Sequence, residues 1–299
     1  MPLISMGKKL LFVYNPKAGT GSIAGHLSEI IELFSKEGYR VEVFPTACRD
    51  DAKKRIMKCE EDFDLIVISG GDGTLNEAVT GCLESGKNIP IGYIPAGSTN
   101  DFASSLNIPK QPLAAAKEIV SGEQVDLDVG LFNDRHFVYV AAFGIFTSVA
   151  YATDQVLKNT FGHMAYLIKG LKELNEIRAY NVSFDIDGNT RSGRYIYGMV
   201  TNSKSVGGIK NITGENVELS DGLFEVTLIK EPDSLIRIPE IIAALIAKNI
   251  ESEYIEKYSV SEINFETEEA LQWTIDGEFG GECTEVRIVN LHNMLKMML

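Results

Sequence analysis

The residues best suited to chemistry lie in the segment Gly70–Glu77, GGDGTLNE, directly after the apolar run Asp64–Ser69 (DLIVIS). Glycines 70, 71 and 73 let backbone N–H groups approach an anion, and a helix starting behind them adds positive potential at its first turn. Thr74 and Glu77 have the T-x-x-E spacing of a capping box, which predicts a helix opening immediately behind the glycines. The chemistry implied is phosphate binding. Asp72 inside such a cradle repels a phosphate unless a cation lies between them, and Mg²⁺ is the standard partner of nucleotide phosphates. The plainer reading makes Asp72 a helix cap in a tight turn.

Two further loops repeat the logic. Tyr14–Ser22 (YNPKAGTGS) follows the apolar run Lys9–Tyr14 and offers glycines, hydroxyls and one cation. Its G-x-G also suits a dinucleotide-binding turn, but that version wants an acid near the end of the second strand, where Phe44-Pro45-Thr46 stands instead; a dehydrogenase is disfavoured. Pro95–Ala103 (PAGSTNDFA) again supplies glycine, hydroxyls and a carboxylate. A fourth stretch, Gly81–Asn88, matches GxxxxGK but follows a helical pattern and lacks the Ser/Thr that holds the metal, so it reads as a helix end and loop.

The elements that must position these loops alternate. Strand-like runs at Lys9–Tyr14, Arg40–Phe44, Asp64–Ser69 and Ile89–Ile94 are spaced by helical patterns from Ile23 to Phe34, Asp50–Cys59, Thr74–Leu83 and Leu113–Val120. That alternation implies right-handed crossovers and a parallel, Rossmann-like sheet with helices on both faces, its functional edge at the carboxyl ends of the strands. After about residue 125 the pattern changes to Val125–Leu131, Phe137–Phe143, Tyr180–Ile186, Arg194–Asn202, Phe224–Ile229, Ser259–Phe265, Leu271–Ile275 and Val286–Val289, with turn signals at Asn133-Asp134, Asp187-Gly188, Asp221-Gly222 and Asp276-Gly277. This half reads as an antiparallel sandwich with helical inserts near 148–177 and 233–248. The expected domains are an α/β domain over 1–128, to which a tail 290–299 can return, and a β-rich domain over 129–289. With no Gly/Ser linker at the seam, the halves are expected to pack closely around a cleft.

Composition narrows the classes. Lys and Arg total 28 against 42 Asp and Glu, a formal net charge of −14, which disfavours a nucleic-acid binder. No stretch approaches the ~18 uninterrupted apolar residues of a membrane span, and MPLISMGKKL places its charge after its apolar patch, the wrong order for a signal peptide. The four cysteines show no CxxC pair, which argues against zinc and fits reduced packing residues. A cytoplasmic protein is expected.

Taken together and in this order, NPKAG (15–19), GGDGTLNE (70–77) and GSTNDFA (97–103) resemble the soluble bacterial diacylglycerol kinase family. Its catalytic domain is shared with sphingosine and ceramide kinases and, more distantly, with NAD kinases and phosphofructokinases. SDG at 220–222 and DGE at 276–278 extend the resemblance into the second half. The resemblance implies that Asn15, Pro16, Lys17, Ala18, Gly19, Thr46, Gly70, Gly71, Asp72, Gly73, Thr74, Leu75, Asn76 and Ser98 contact ATP. Ser98 stands where many members have Thr and keeps the hydroxyl. Asp72, Asp101 and Asp128 fall at acidic positions that position Mg²⁺ and order the site. Glu278 matches the general base, and Asp221 with the carbonyls of Glu218 and Leu223 a structural Mg²⁺ site. The bland alternatives are a solvated strand residue at Asp128 and ordinary turns at Asp221-Gly222 and Asp276-Gly277 with Glu278 exposed.

The implied activity is phosphoryl transfer from ATP to a lipid hydroxyl, diacylglycerol giving phosphatidic acid, by a cytoplasmic protein peripheral at the inner membrane surface, with a homodimer left open. Phe143–Phe146 and the stripe Met164, Leu167, Ile168 and Leu171 are candidates for an acyl groove, and such stripes are more often simply core. The rival readings are an NAD kinase-like or other small-hydroxyl kinase, and a nucleotide-binding regulator without catalysis.

Overall fold

A computed structural model of the chain describes residues 7–19, 23–59, 62–145, 177–207, 209–210, 213, 217–246 and 252–299. The chain divides into two compact units, Met1–Leu127 with Asn293–Leu299, and Asp128–His292.

In the first unit β1 (Lys8–Tyr14), α1 (Ile23–Lys36), β2 (Tyr39–Pro45), α2 (Asp51–Met57), β3 (Leu65–Gly70), α3 (Asp72–Glu84) and β4 (Ile91–Pro95) alternate, followed by α4 (Asp101–Ser105) and α5 (Pro112–Ser121). The strands pair in parallel in the order β2-β1-β3-β4. Every residue of β3 is buried, as a central parallel strand covered on both faces requires.

Helix α3 starts earlier than its sequence suggests. Gly71 is the N-cap, its carbonyl accepts from the Leu75 N–H at 3.1 Å, and as a glycine it makes no side-chain cap bond. The expected Thr74–Glu77 box therefore lies inside the first turns. The Glu77 carboxylate is taken by another helix, accepting from the Asp50 N–H at 2.9 Å and the Ala52 N–H at 3.2 Å. The GxxxxGK look-alike is a helix end as read: Ser85 is the C-cap of α3, and Lys87 Nζ donates to the Ile56 carbonyl at 2.9 Å, closing the end of α2.

The second unit is antiparallel. Its strands are β5 (Gln124–Phe132, begun in the first unit), β6 (Arg135–Phe137), β7 (Val140–Gly144), β8 (Tyr180–Ile186), β9 (Asn189–Thr201), the short pair β10 (Ser205–Val206) and β11 (Ile209–Lys210), β12 (Phe224–Lys230), β13 (Ile255–Val260), β14 (Glu262–Ile275) and β15 (Glu278–Met298). A 3₁₀ turn at Leu235–Arg237 leads into α6 (Ile238–Ile246). The main path runs β13-β12-β9-β7-β14-β15. Trp273 centres the core, with ring centroids of Phe132, Phe143 and Phe265 at 5.1, 4.9 and 5.4 Å.

Several strand boundaries differ from the sequence pattern. The run Phe137–Phe143 is split between β6 and β7 because the N–H groups of Val138, Tyr139 and Val140 all go to the Asp276 carboxylate. Ser259–Phe265 straddles the break between β13 and β14, and β14 continues through Leu271–Ile275 across a register shift after Glu266. Val286–Val289 is the middle of β15, whose last residues lie in the first unit, with Met297 opposite Ile91 and Leu299 exchanging backbone bonds with Glu123 at 2.8 and 3.1 Å. The expected insert at 148–177 lies outside the described residues save residue 177, as do Phe146, Met164, Leu167, Ile168 and Leu171. Among the described residues no helix is long and apolar enough to cross a membrane.

Candidate active site

The four parallel strands end level. Tyr14 is opposite both Pro45 and Ser69, and Gly70 is opposite Pro95, so the loops that follow leave one edge of the sheet. Backbone bonds fix their first residues: the Asn15 N–H donates to the Ser69 carbonyl at 2.8 Å, Thr46 to Tyr14 at 2.9 Å and Ala96 to Gly70 at 2.8 Å. Asn15 Oδ1 accepts from the Lys17 N–H at 2.9 Å and closes the turn of the first loop.

Glycine lets the loops touch. Gly19 sits at φ +54°, and a Cβ there would lie 2.2 Å from the Ala96 carbonyl oxygen. A Cβ on Gly97 would lie 2.7 Å from Gly71 Cα and 2.7 Å from Asn100 Oδ1. Only backbones without side chains pack this closely, so the first and second loops both meet the third there. Residues 20–22 of the first loop lie outside the described residues.

Asp72 joins the second loop to the third. Its carboxylate accepts from the Asp101 N–H at 3.1 Å and the Phe102 N–H at 3.4 Å, at the start of α4. Asp101 is buried, whereas Asp72 is half-buried and Ser98 exposed. Behind this junction Asn100, in the left-handed region at φ +55°, accepts from the Gly97 N–H at 2.9 Å and donates to the Gly97 carbonyl at 2.7 Å. The buried Tyr93 hydroxyl donates to the Gly70 carbonyl at 3.1 Å. Burial, and then the charge of Asp72, hold this phenol well above its ordinary pKa. Its O–H is therefore a fixed donor under the glycine loop. Of the expected first-unit residues, this edge gathers Asn15–Gly19, Thr46, Gly70–Asn76, Ser98 and Asp101.

The remaining expected residues belong to the second unit. Asp128 is fully buried, which rules out the solvated reading. Its carboxylate accepts from the Gly222 N–H at 2.7 Å and Asn290 Nδ2 at 3.3 Å, and Oδ1 lies 2.9 Å from His292 Nδ1. It thus holds the Ser220–Gly222 turn against β15. In that turn Asp221 Oδ1 accepts from the Leu223 N–H at 2.9 Å, and Glu218 and Asp221 are exposed.

The turn brings the Asp221 and Glu225 carboxyl groups into electrostatic contact, and its Leu223 carbonyl accepts from Asn290 Nδ2 at 3.1 Å. Glu225, two residues beyond Leu223, has its carboxyl pushed up to about 7 by burial and by the charge of Asp221. Its Oε2 is buried with no hydrogen-bond partner among the described groups. A cation held by the Asp221 carboxylate and the Glu218 and Leu223 carbonyls would relieve that repulsion.

Asp276 and Gly277 form the two-residue turn between β14 and β15, both at positive φ (48° and 80°), as a type I′ hairpin requires. The buried Asp276 carboxylate accepts from Val138 at 2.7 Å and from Tyr139 and Val140 at 3.0 Å each. Glu278, exposed and opposite Ile275 in the ladder, opens the returning strand.

Sequence reasoning missed Tyr93, Asn100, Asp276 and His292 as parts of these constellations. Asn100 carried a signal, an Asx residue able to adopt a left-handed conformation beside a glycine; the others depend on tertiary neighbours.

Two family models divide the chain between them. The diacylglycerol kinase catalytic domain matches residues 9–132, and the YegS C-terminal NAD kinase beta sandwich-like domain matches residues 139–295. The chain is 31% identical over 294 residues to the diacylglycerol kinase of Bacillus subtilis (strain 168), covering 98% of this chain and 96% of that one. The chain belongs to the bacterial diacylglycerol kinase family of lipid kinases. A diacylglycerol kinase of Staphylococcus carnosus (strain TM300) is 31% identical over 281 residues, covering 93% of this chain and 90% of that one. A crystal structure of a diacylglycerol kinase from Bacillus anthracis str. Sterne superposes with a TM-score of 0.78 at 24% identity, covering 98% of this chain and 97% of that one, which shows a shared fold. Within the family match, the catalytic-domain segment contains the glycine loops and Asp128, and the C-terminal segment contains the SDG and DGE turns.

Proposed function

We propose that the chain transfers the γ-phosphoryl group of ATP to the free hydroxyl of diacylglycerol, giving phosphatidic acid and ADP. The observation that carries the reading is the meeting of the glycine loops at one strand edge, with Asp72 bridging the second and third. Close-packed glycine backbones at strand ends suit phosphates, and a carboxylate among them suits a phosphate-bound cation. Family membership supports a lipid as the acceptor.

In this reading Asn15–Gly19, Thr46, Gly70–Asn76 and Ser98 hold the nucleotide. Asp72 and Asp101 are the carboxylates toward its metal. Mg²⁺, when bound with ATP, spreads the negative charge of the phosphate oxygens and of the transition state. Glu278 takes the proton of the attacking hydroxyl onto a carboxylate oxygen as the new O–P bond forms and the bond to ADP breaks. Asp128 acts through the turn at 220–223, and Asp221 with the Glu218 and Leu223 carbonyls would hold a second, structural Mg²⁺. The enzyme works from the cytoplasm at the inner membrane surface, where its substrate lies.

The test is labelled ATP with a panel of diacylglycerol, monoacylglycerol, sphingosine, phosphatidylglycerol and NAD. Label in phosphatidic acid above every other product is expected. Label in NADP, or ATP binding without turnover on any acceptor, would overturn the reading in favour of an NAD kinase or a regulator.

A further inference from the structure

Helix α2 lacks a cap of its own. Its N-cap residue, Asp50, is in the left-handed region at φ +64° and makes no side-chain cap bond, which leaves the first N–H groups of the helix in need of acceptors. Glu77, from α3, supplies them: one carboxylate oxygen takes the Asp50 N–H at 2.9 Å and the other the Ala52 N–H at 3.2 Å. A carboxylate at a helix N-terminus also meets the positive end of the helix dipole.

The capped end is the base of the loop carrying Thr46. Thr46 is tied to Tyr14 at 2.9 Å, and the Asp51 carboxylate closes the loop by accepting from Ala47 at 2.7 Å, Cys48 at 3.0 Å and Cys48 Sγ at 3.2 Å. Glu77 in turn is six residues from Gly71, roughly 9 Å along the axis of one rigid helix. Thr46 and the glycine loop are therefore connected by a short chain of rigid parts whose middle link is the Glu77 carboxylate.

We propose that Glu77 is a positioning residue that registers the Thr46 loop against the Gly70–Gly73 loop and thereby sets nucleotide affinity. The inference rests on the reading that both loops hold ATP. Glu77→Gln keeps size and one acceptor oxygen but turns an amide N–H₂ toward a backbone donor. Its ATP dissociation constant, by calorimetry, should rise about 10- to 100-fold, the scale of a small misplacement of binding groups. Turnover at saturating ATP should stay within about threefold, because a loss of uniform binding moves KM and leaves kcat. Thr46→Ala should weaken ATP binding in the wild-type background and add little in the Glu77→Gln background, since residues coupled through a shared backbone shift do not behave additively. In the unmodified protein, hydrogen exchange at the Asp50 and Ala52 amides should slow on adding ATP.

Wild-type ATP affinity in Glu77→Gln, a fall in kcat with affinity unchanged, or strictly additive losses in the double variant would overturn the proposal. Should the variants not fold, exchange at Asp50 and Ala52 that ignores ATP overturns it by itself. If the unmodified protein binds no ATP, the nucleotide reading has failed, an outcome distinct from any failure of Glu77.

Discussion

The Asp276 carboxylate offers the sharpest test of how the second unit holds Glu278. The residue is 6% exposed and accepts three backbone N–H groups, at 2.7, 3.0 and 3.0 Å. Asn is the informative replacement because, like Asp, it tolerates the left-handed conformation that Asp276 adopts at φ 48°. The backbone can therefore stay as it is while the charge and one acceptor oxygen go. With the amide oxygen kept toward Tyr139 and Val140, the Val138 N–H loses its acceptor and faces the amide N–H₂ instead. With about 1–3 kcal/mol for an unsatisfied buried group, the loss is roughly 1–3 kcal/mol. At about 2–4 °C per kcal/mol for a unit of this size, the melting temperature should fall by roughly 2–12 °C. Calorimetric melting reads the stability, and steady-state kinetics with ATP titrations reads the site. Where the variant is folded, kcat should fall, because the turn that aims Glu278 has loosened, while ATP affinity holds. A melting curve superimposable on the wild type would refute the claim that these bonds hold the turn.

Three further outcomes are expected. Asp72→Asn should leave the fold intact but lower turnover by about 10²-fold or more across a Mg²⁺ titration; turnover at the wild-type rate would make Asp72 only a cap for α4. Gly97→Ala should cost about 1–3 kcal/mol and weaken ATP binding, because its Cβ meets Gly71 and Asn100 at 2.7 Å; unchanged affinity by calorimetry would show that the contact between the loops is not needed. Glu225, raised to about 7 by burial and by Asp221, carries no penalty below pH 4.5, where it is protonated folded and unfolded alike, and its full penalty above about pH 7. Glu225→Gln should accordingly be more stable than wild type at pH 8 by about 1–3 kcal/mol, with the gap closing toward pH 4.5 and shrinking in millimolar Mg²⁺; a pH-independent gap in melting experiments would contradict this.

The glycine loops were legible because their signals are local: an apolar run, then glycines and hydroxyls, then a helix. What misled was tertiary competition. Thr74 and Glu77 have capping-box spacing, yet Glu77 is taken by N–H groups at Asp50 and Ala52, and its helix opens on Gly71 instead. Asp126 and Asp128 share one face of a strand by alternation, yet Asp126 is exposed and Asp128 fully buried, because the 220–223 turn and His292 cover the second alone. Strand periodicity ran through Val138–Val140, where a carboxylate 136 to 138 residues away interrupts the ladder. Pattern rules see neighbours within a turn or a pleat. Partners brought together by folding are outside their reach.

The most direct test of the central claim compares wild type and Glu278→Gln in a single assay. Labelled ATP and diacylglycerol in vesicles are followed for phosphatidic acid and ADP, with ATP binding measured separately by calorimetry. The account predicts one ADP per phosphatidic acid in the wild type. In the Gln variant both products should slow together by about 10²–10⁴-fold, with ATP affinity unchanged. ADP released without labelled lipid, or a Gln variant turning over at the wild-type rate, would contradict it.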